Sequence, residues 1–95
     1  MRLTEVEKTV ITEEVLRRDP LAQIYLYGSR VDDQLRGGDI DLLVISAVIG
    51  LAQKIDILVS MKLRMGDQRI DLLIENPGHA TPFSESVKKM ALRLN

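Results

Sequence analysis

Asp39-Ile40-Asp41-Leu42-Leu43-Val44-Ile45 and, further along, Arg69-Ile70-Asp71-Leu72-Leu73-Ile74 carry almost the same text, Ile40 to Val44 matching Ile70 to Ile74 position by position. Both runs are aliphatic and β-branched; Gly37-Gly38 precedes the first and Asn76-Pro77-Gly78 follows the second, so each reads as a short strand. Side chains two apart on a strand share a face. Asp39 and Asp41 therefore project together, about 7 Å apart at their Cα atoms, while Ile40, Leu42 and Val44 face the other way and can anchor the strand in a core. Asp71 has the same local setting as Asp41.

Outward from this pair of strands the pattern continues. Ala22 to Tyr27 reads as an earlier strand that ends at Gly28-Ser29, and the polar run from Arg30 to Gly38 reads as a loop. Before it, Thr4 with Glu7 is a capping-box pair, and Val6, Val10, Ile11 and Val15 recur at helical spacing until Asp19-Pro20. Between the twin strands, Ser46 could cap a helix whose apolar residues Val48, Leu51, Ala52, Ile55, Leu58 and Val59 follow a 3.6-residue period up to Gly66, with Met61 and Met65 as core filler. Thr81-Pro82 opens a last helix with Phe83, Val87, Met90, Ala91 and Leu94 on one face. The order helix, strand, strand, helix, strand, helix predicts an α/β (α+β) fold with one small mixed sheet flanked by helices.

A chain of 95 residues has room for one core, so residues 1–95 are expected to form a single domain. Thirteen basic and fourteen acidic residues leave a net charge of -1, which gives no general attraction for nucleic acid or an anionic membrane. The absence of cysteine excludes disulfides, thiolate catalysis and zinc-thiolate sites, so a cation would be held by oxygen. The longest apolar stretch, Leu42 to Ala52, is broken by Ser46 and Gly50 and is shorter than the roughly 20 residues that span a bilayer. The early charges at Arg2 and Glu5 do not fit a signal peptide, and a cytoplasmic location is expected.

If the twin strands are neighbours, Asp39, Asp41 and Asp71 meet at one end of the sheet as the oxygen-rich, negative pocket that Mg²⁺ prefers, with space for one or two ions. Gly28, lacking a side chain, permits phosphate to approach backbone N–H groups, and Ser29 adds a hydroxyl at a helix start. Two ions roughly 4 Å apart could neutralise a triphosphate, lower the pKa of an attacking hydroxyl and stabilise departing pyrophosphate, which is nucleotidyl transfer.

The motifs Tyr27-Gly28-Ser29-Arg30 and Arg36-Gly37-Gly38-Asp39-Ile40-Asp41-Leu42-Leu43-Val44, with a later strand carrying Asp71, resemble the signature of the DNA polymerase β-like nucleotidyltransferase superfamily, above all its short, stand-alone minimal members. The resemblance runs from about Tyr25 to Ile74 and implies the nucleotidyltransferase fold. It also implies that Asp39 and Asp41 bind both metals, that Asp71 binds the catalytic metal and helps deprotonate the acceptor, and that Gly28 and Ser29, with Arg30, hold the β and γ phosphates of a nucleoside triphosphate. Many relatives have serine before the first aspartate; Gly38 here removes that hydroxyl and leaves the ligands intact. Minimal members often accompany a small helical HEPN-type protein, some as antitoxins that nucleotidylate the toxin.

The expected activity is Mg²⁺-dependent transfer of AMP from ATP to a hydroxyl of a protein or other acceptor. The alternative is a non-catalytic nucleotide-binding or antitoxin-like module that acts by binding a HEPN-type partner. An exposed sheet edge or apolar helix face could also make a homodimer. Read on their own, Asp32 and Asp33 are solvated loop acids, Arg36 pairs with them or reaches a phosphate, and Tyr25 and Tyr27 are packing residues. His79 reads as a surface loop residue in preference to a general base, and Lys88, Lys89 and Arg93 as a solvated helix face in preference to a weak partner-binding patch.

Overall fold

The computed structural model describes residues 3–31 and 39–95, apart from the side chain of Ser29. The expectations for Asp32, Asp33, Arg36 and the Gly37-Gly38 turn fall outside those residues. The first helix, α1, spans Glu5–Arg18, and its capping box is formed as read: Glu7 N–H donates to Thr4 Oγ1 at 3.0 Å and Thr4 N–H to Glu7 Oε1 at 2.9 Å. Strand β1 (Gln23–Tyr27) runs into a single 3₁₀ turn, Gly28–Val31. Strand β2 (Ile40–Ile45), helix α2 (Leu51–Met65), strand β3 (Ile70–Glu75), helix α3 (Pro82–Met90) and a two-residue strand β4 (Leu92–Arg93) follow.

The sheet order is β3-β2-β1-β4. β1 is antiparallel to both its neighbours, whereas β2 and β3 are parallel, α2 serving as the crossover that a parallel pair requires. The duplicated text aligns with itself across that pair: Ile40 faces Ile70, Asp41 faces Asp71 and Val44 faces Ile74. Ile24, Leu26, Ile40, Leu42, Val44 and Leu72 point to one side, where Val10, Ile11 and Val15 of α1 and Ile57 and Met61 of α2 complete the core. The other side bears Tyr27, Asp41 and Asp71, and α3 packs there against β1.

Three local readings change. The last helix stops at Met90, because Leu92–Arg93 pairs with β1 as an edge strand and carries Leu94 into the core. Leu94 N–H donates to the Ile24 carbonyl at 2.8 Å, and the Asn95 amide continues the pairing, accepting from Ile24 N–H and donating to the Ala22 carbonyl. Ser46 does not cap α2; Gly50 does. The Ser46 hydroxyl instead donates to Asp19 Oδ2 at 2.6 Å and accepts from the N–H groups of Val48 and Ile49, tying the β2–α2 loop to the end of α1. Finally, Val48 lies exposed in the loop before α2, and α2 buries Ile57 and Met61 and leaves Leu51, Ile55, Val59 and Leu63 exposed, since its sequence is apolar on two sides and only one meets the sheet.

Behind the sheet, Glu14 is 1% exposed on α1 and accepts from Arg18 Nη1 at 2.5 Å and Arg64 Nη1 at 2.8 Å, which joins α1 to α2. Burial works to raise the Glu14 pKa, but the hydrogen bonds from Arg64 and Arg18 outweigh it and hold the carboxyl below the usual glutamate range. Among the described residues no helix is long and apolar enough to cross a membrane.

Candidate active site

Strand register builds the site. Tyr27 faces Asp41 across the antiparallel β1–β2 pair, and Asp41 faces Asp71 across the parallel β2–β3 pair, so three side chains stand in a row on one face at one end of the sheet. Ile40 beneath them is fully buried and fixes the direction of its neighbours. Asp39 lies one residue before β2, where Ile40 N–H donates to the Arg69 carbonyl at 3.0 Å and sets this end of β2 beside β3.

Gly28 closes the row. Its φ of +78° lies in the region that side-chain-bearing residues avoid, and a Cβ there would run into Asp41 Oδ2. The turn after β1 and the acid row are thus in contact through the bare Gly28 backbone. The Asp41 carboxyl titrates above the usual aspartate range because it is partly buried, and next because Asp71, with which it shares a hydrogen bond, and Asp39 are both negative; Arg69 opposes the shift. Tyr27 is likewise raised, by burial and then by the charges of Asp41 and Asp71.

Arg69 Nε lies 3.3 Å from Asp39 Oδ2 and 3.9 Å from Asp71 Oδ1, on groups exposed enough that each pair contributes at most about 1 kcal/mol. No three His, Cys, Asp or Glu side chains among the described residues form a ready-made metal cage. What the structure brings together closely is Asp41 with Asp71, while Asp39 joins them through Arg69. The donor chemistry still fits Mg²⁺: every candidate ligand is a carboxylate, and the register of Asp41 against Asp71, with Arg69 between Asp71 and Asp39, gathers negative charges that a divalent cation would relieve. Arg30, on the 3₁₀ turn, donates to Gln68 Oε1 at 3.4 Å, and Gln68 donates to Glu7 Oε2 at 2.7 Å, a chain that ties the turn to α1.

Two clefts flank this row, separated by Tyr27 and Phe83, whose rings meet edge to face at 6.3 Å and 80°. One, about 430 Å³, is lined by Asp71, Lys54, Leu58 and Leu73; the other, about 420 Å³, by Gly28, Val31, Ser86, Val87 and Met90. Tyr27, Phe83, Lys54 and Arg69 were not legible as site residues. Tyr27 reads as packing, and Phe83 as one more apolar residue of a helix; the position of Tyr27 at the end of the first strand's run, directly before Gly28, was the available signal.

The model of the nucleotidyltransferase domain family matches residues 9–92. Among curated proteins none matches. The fold is similar to a chain in a crystal structure of the toxin-antitoxin pair MntA-HpeT, carrying the substitutions D39E and D41E in that protein's own numbering. The TM-score is 0.70 and the identity 20%, over 93% of this chain and 71% of that one.

Proposed function

We propose that this chain, which belongs to the nucleotidyltransferase domain family, transfers AMP from ATP to a hydroxyl on a protein in the cytoplasm. The observation that carries the reading is the register of Asp41 against Asp71 with the Gly28 backbone pressed on the Asp41 carboxylate, which joins a phosphate-binding turn to an acid pair. Asp39, Asp41 and Asp71 would hold Mg²⁺, one or two ions, which when bound neutralise the triphosphate and acidify the acceptor hydroxyl. Gly28 and Ser29 present backbone N–H groups to the β and γ phosphates at the start of the 3₁₀ turn, and Arg30 adds charge there. Asp71, on the outer strand, takes the proton of the acceptor hydroxyl as its oxygen bonds to the α-phosphorus and the bond to the β-phosphate oxygen breaks, releasing pyrophosphate.

A protein acceptor or partner is supported by two facts. The similar fold comes from a toxin-antitoxin pair, whose partner here would be a HEPN-type protein, and α2 leaves Leu51, Ile55, Val59 and Leu63 along one exposed stripe that needs cover. Calorimetry of ATP with Mg²⁺ tests the site without an acceptor. Binding that requires magnesium and disappears in a folded Asp39→Asn, Asp41→Asn double variant is the expected result; binding unchanged in that variant would refute the assignment.

A further inference from the structure

We propose that the cleft between the Gly28 turn and α3 seats the nucleobase of the nucleoside triphosphate, with Phe83 as its stacking platform. The inference rests on the reading that Gly28 receives the phosphates. A base is joined to its phosphates through one pentose, so it must lie close to that turn, and of the two clefts only this one is lined by Gly28. The other cleft shares Tyr27 and Phe83 with it but adds Asp71 and Lys54, charged groups suited to the acceptor side of the reaction. The Gly28 cleft has no charged side chain among its described lining residues: Val31, Phe83, Val87 and Met90 give it an apolar wall, and about 420 Å³ lies within the range of small-ligand pockets.

Phe83 is built as a platform. It is 55% exposed, which is high for a phenylalanine whose only role is packing. Its position is nevertheless fixed. It follows Pro82 in the first turn of α3, Thr81 Oγ1 accepts from Ser84 N–H at 3.1 Å, and the buried Ser84 hydroxyl donates back to the Thr81 carbonyl at 2.9 Å. The Tyr27 edge contact sets the ring plane, so an aromatic face is presented without a loop having to order. Met90, 80% exposed, offers an adaptable apolar side chain on the same wall.

Among the described lining residues, hydroxyls of Tyr27 and Ser86 are the only side-chain hydrogen-bonding groups. Stacking is indifferent to base identity, whereas readout needs matched donors and acceptors, so ATP, GTP and CTP bind this cleft within a few-fold of one another.

The experiment compares magnesium complexes of ATP and of inorganic tripolyphosphate by calorimetry on the natural chain and on Phe83→Ala, Phe83→Leu and Phe83→Trp. Stacking of one base on an exposed aromatic ring makes ATP bind about fivefold or more tighter than tripolyphosphate. That advantage is lost in Phe83→Ala and Phe83→Leu, the latter keeping apolar bulk for the fold, and is kept in Phe83→Trp, while tripolyphosphate affinity stays the same in all. Equal binding of ATP and tripolyphosphate by the natural chain, or an ATP advantage that survives both smaller side chains, overturns the nucleobase site while the phosphate reading stands. Binding of neither compound removes the phosphate reading and this inference with it.

Discussion

Replacing Gly28 by alanine tests the junction between the turn and the acid row, and the structure separates two costs. The first is conformational: at φ +78° an alanine is strained by about 1–2 kcal/mol. The second is steric, since the new Cβ collides with Asp41 Oδ2 and sits 3.2 Å from its Cγ, so the carboxylate must rotate out of its place beside Asp71. Forcing that rearrangement adds about 1 kcal/mol, in the range of core overpacking, for a total of roughly 2–3 kcal/mol, or a melting temperature lower by about 10–20 °C in a chain of this size. The assay is a double-mutant cycle by denaturant unfolding with Asp41→Ala, which removes the two atoms struck and leaves the backbone strain. Gly28→Ala should cost about 1 kcal/mol less in the Asp41→Ala background than in the natural chain. An equal cost in both backgrounds would show that the turn and the carboxylate are independent, and the reasoning would fail.

Glu14→Ala strips the buried carboxylate from Arg18 and Arg64 and should destabilise the chain by about 3 kcal/mol in urea unfolding. Because the folded Glu14 pKa is depressed, its contribution is present above the ordinary glutamate range and is lost as pH falls through the folded value. Acid unfolding should therefore flatten in Glu14→Gln; an unchanged acid limb would reject the linkage. The sign reverses at Asp41, where the raised pKa means that stability is full below the ordinary aspartate range and is lost as pH rises through the folded value. Asp41→Asn should accordingly stabilise the metal-free chain at pH 7, by about 0.5 kcal/mol, while abolishing magnesium-dependent ATP binding; thermal melts and calorimetry on one sample check both. Ser46→Ala leaves a buried Asp19 oxygen and two N–H groups without their partner and should cost about 1–3 kcal/mol by denaturant titration, a value below 0.5 kcal/mol contradicting the assigned role.

Local chemistry made much of this chain readable. The α1 cap, the three principal strands and the glycine at the exit of β1 depend on neighbours in sequence, and each is found where its residues place it. The losses occurred where distant packing decides. β4 is two residues long and exists because β1 offers an open edge, which Leu92, Arg93 and the Asn95 amide cover in place of another helical turn. α2 is apolar on two sides, and periodicity alone does not say which side the sheet takes. Phe83 fell on the expected face of α3, and the meeting of Asp41 with Asp71 was readable from the twin strands, but no single strand shows that Tyr27 completes their row beside Phe83.

The acid site itself hung on strand direction. Had β3 run antiparallel to β2 with the strand ends matched, Asp71 would lie opposite Val44, about 10 Å along the sheet from Asp41 and on the side covered by α1 and α2. Two carboxylates could not then share a site, however closely their local texts agreed. What permits the observed arrangement is the connection between the strands: a parallel pair needs a long crossover, which α2 supplies, whereas a tight turn could have joined them only in the antiparallel sense. α2 is therefore part of the site without contributing a ligand to it. The duplicated text specifies which residue each strand presents, and the helical crossover lets both present it at the same end, beside the exit of β1 where Gly28 lies against the Asp41 carboxylate.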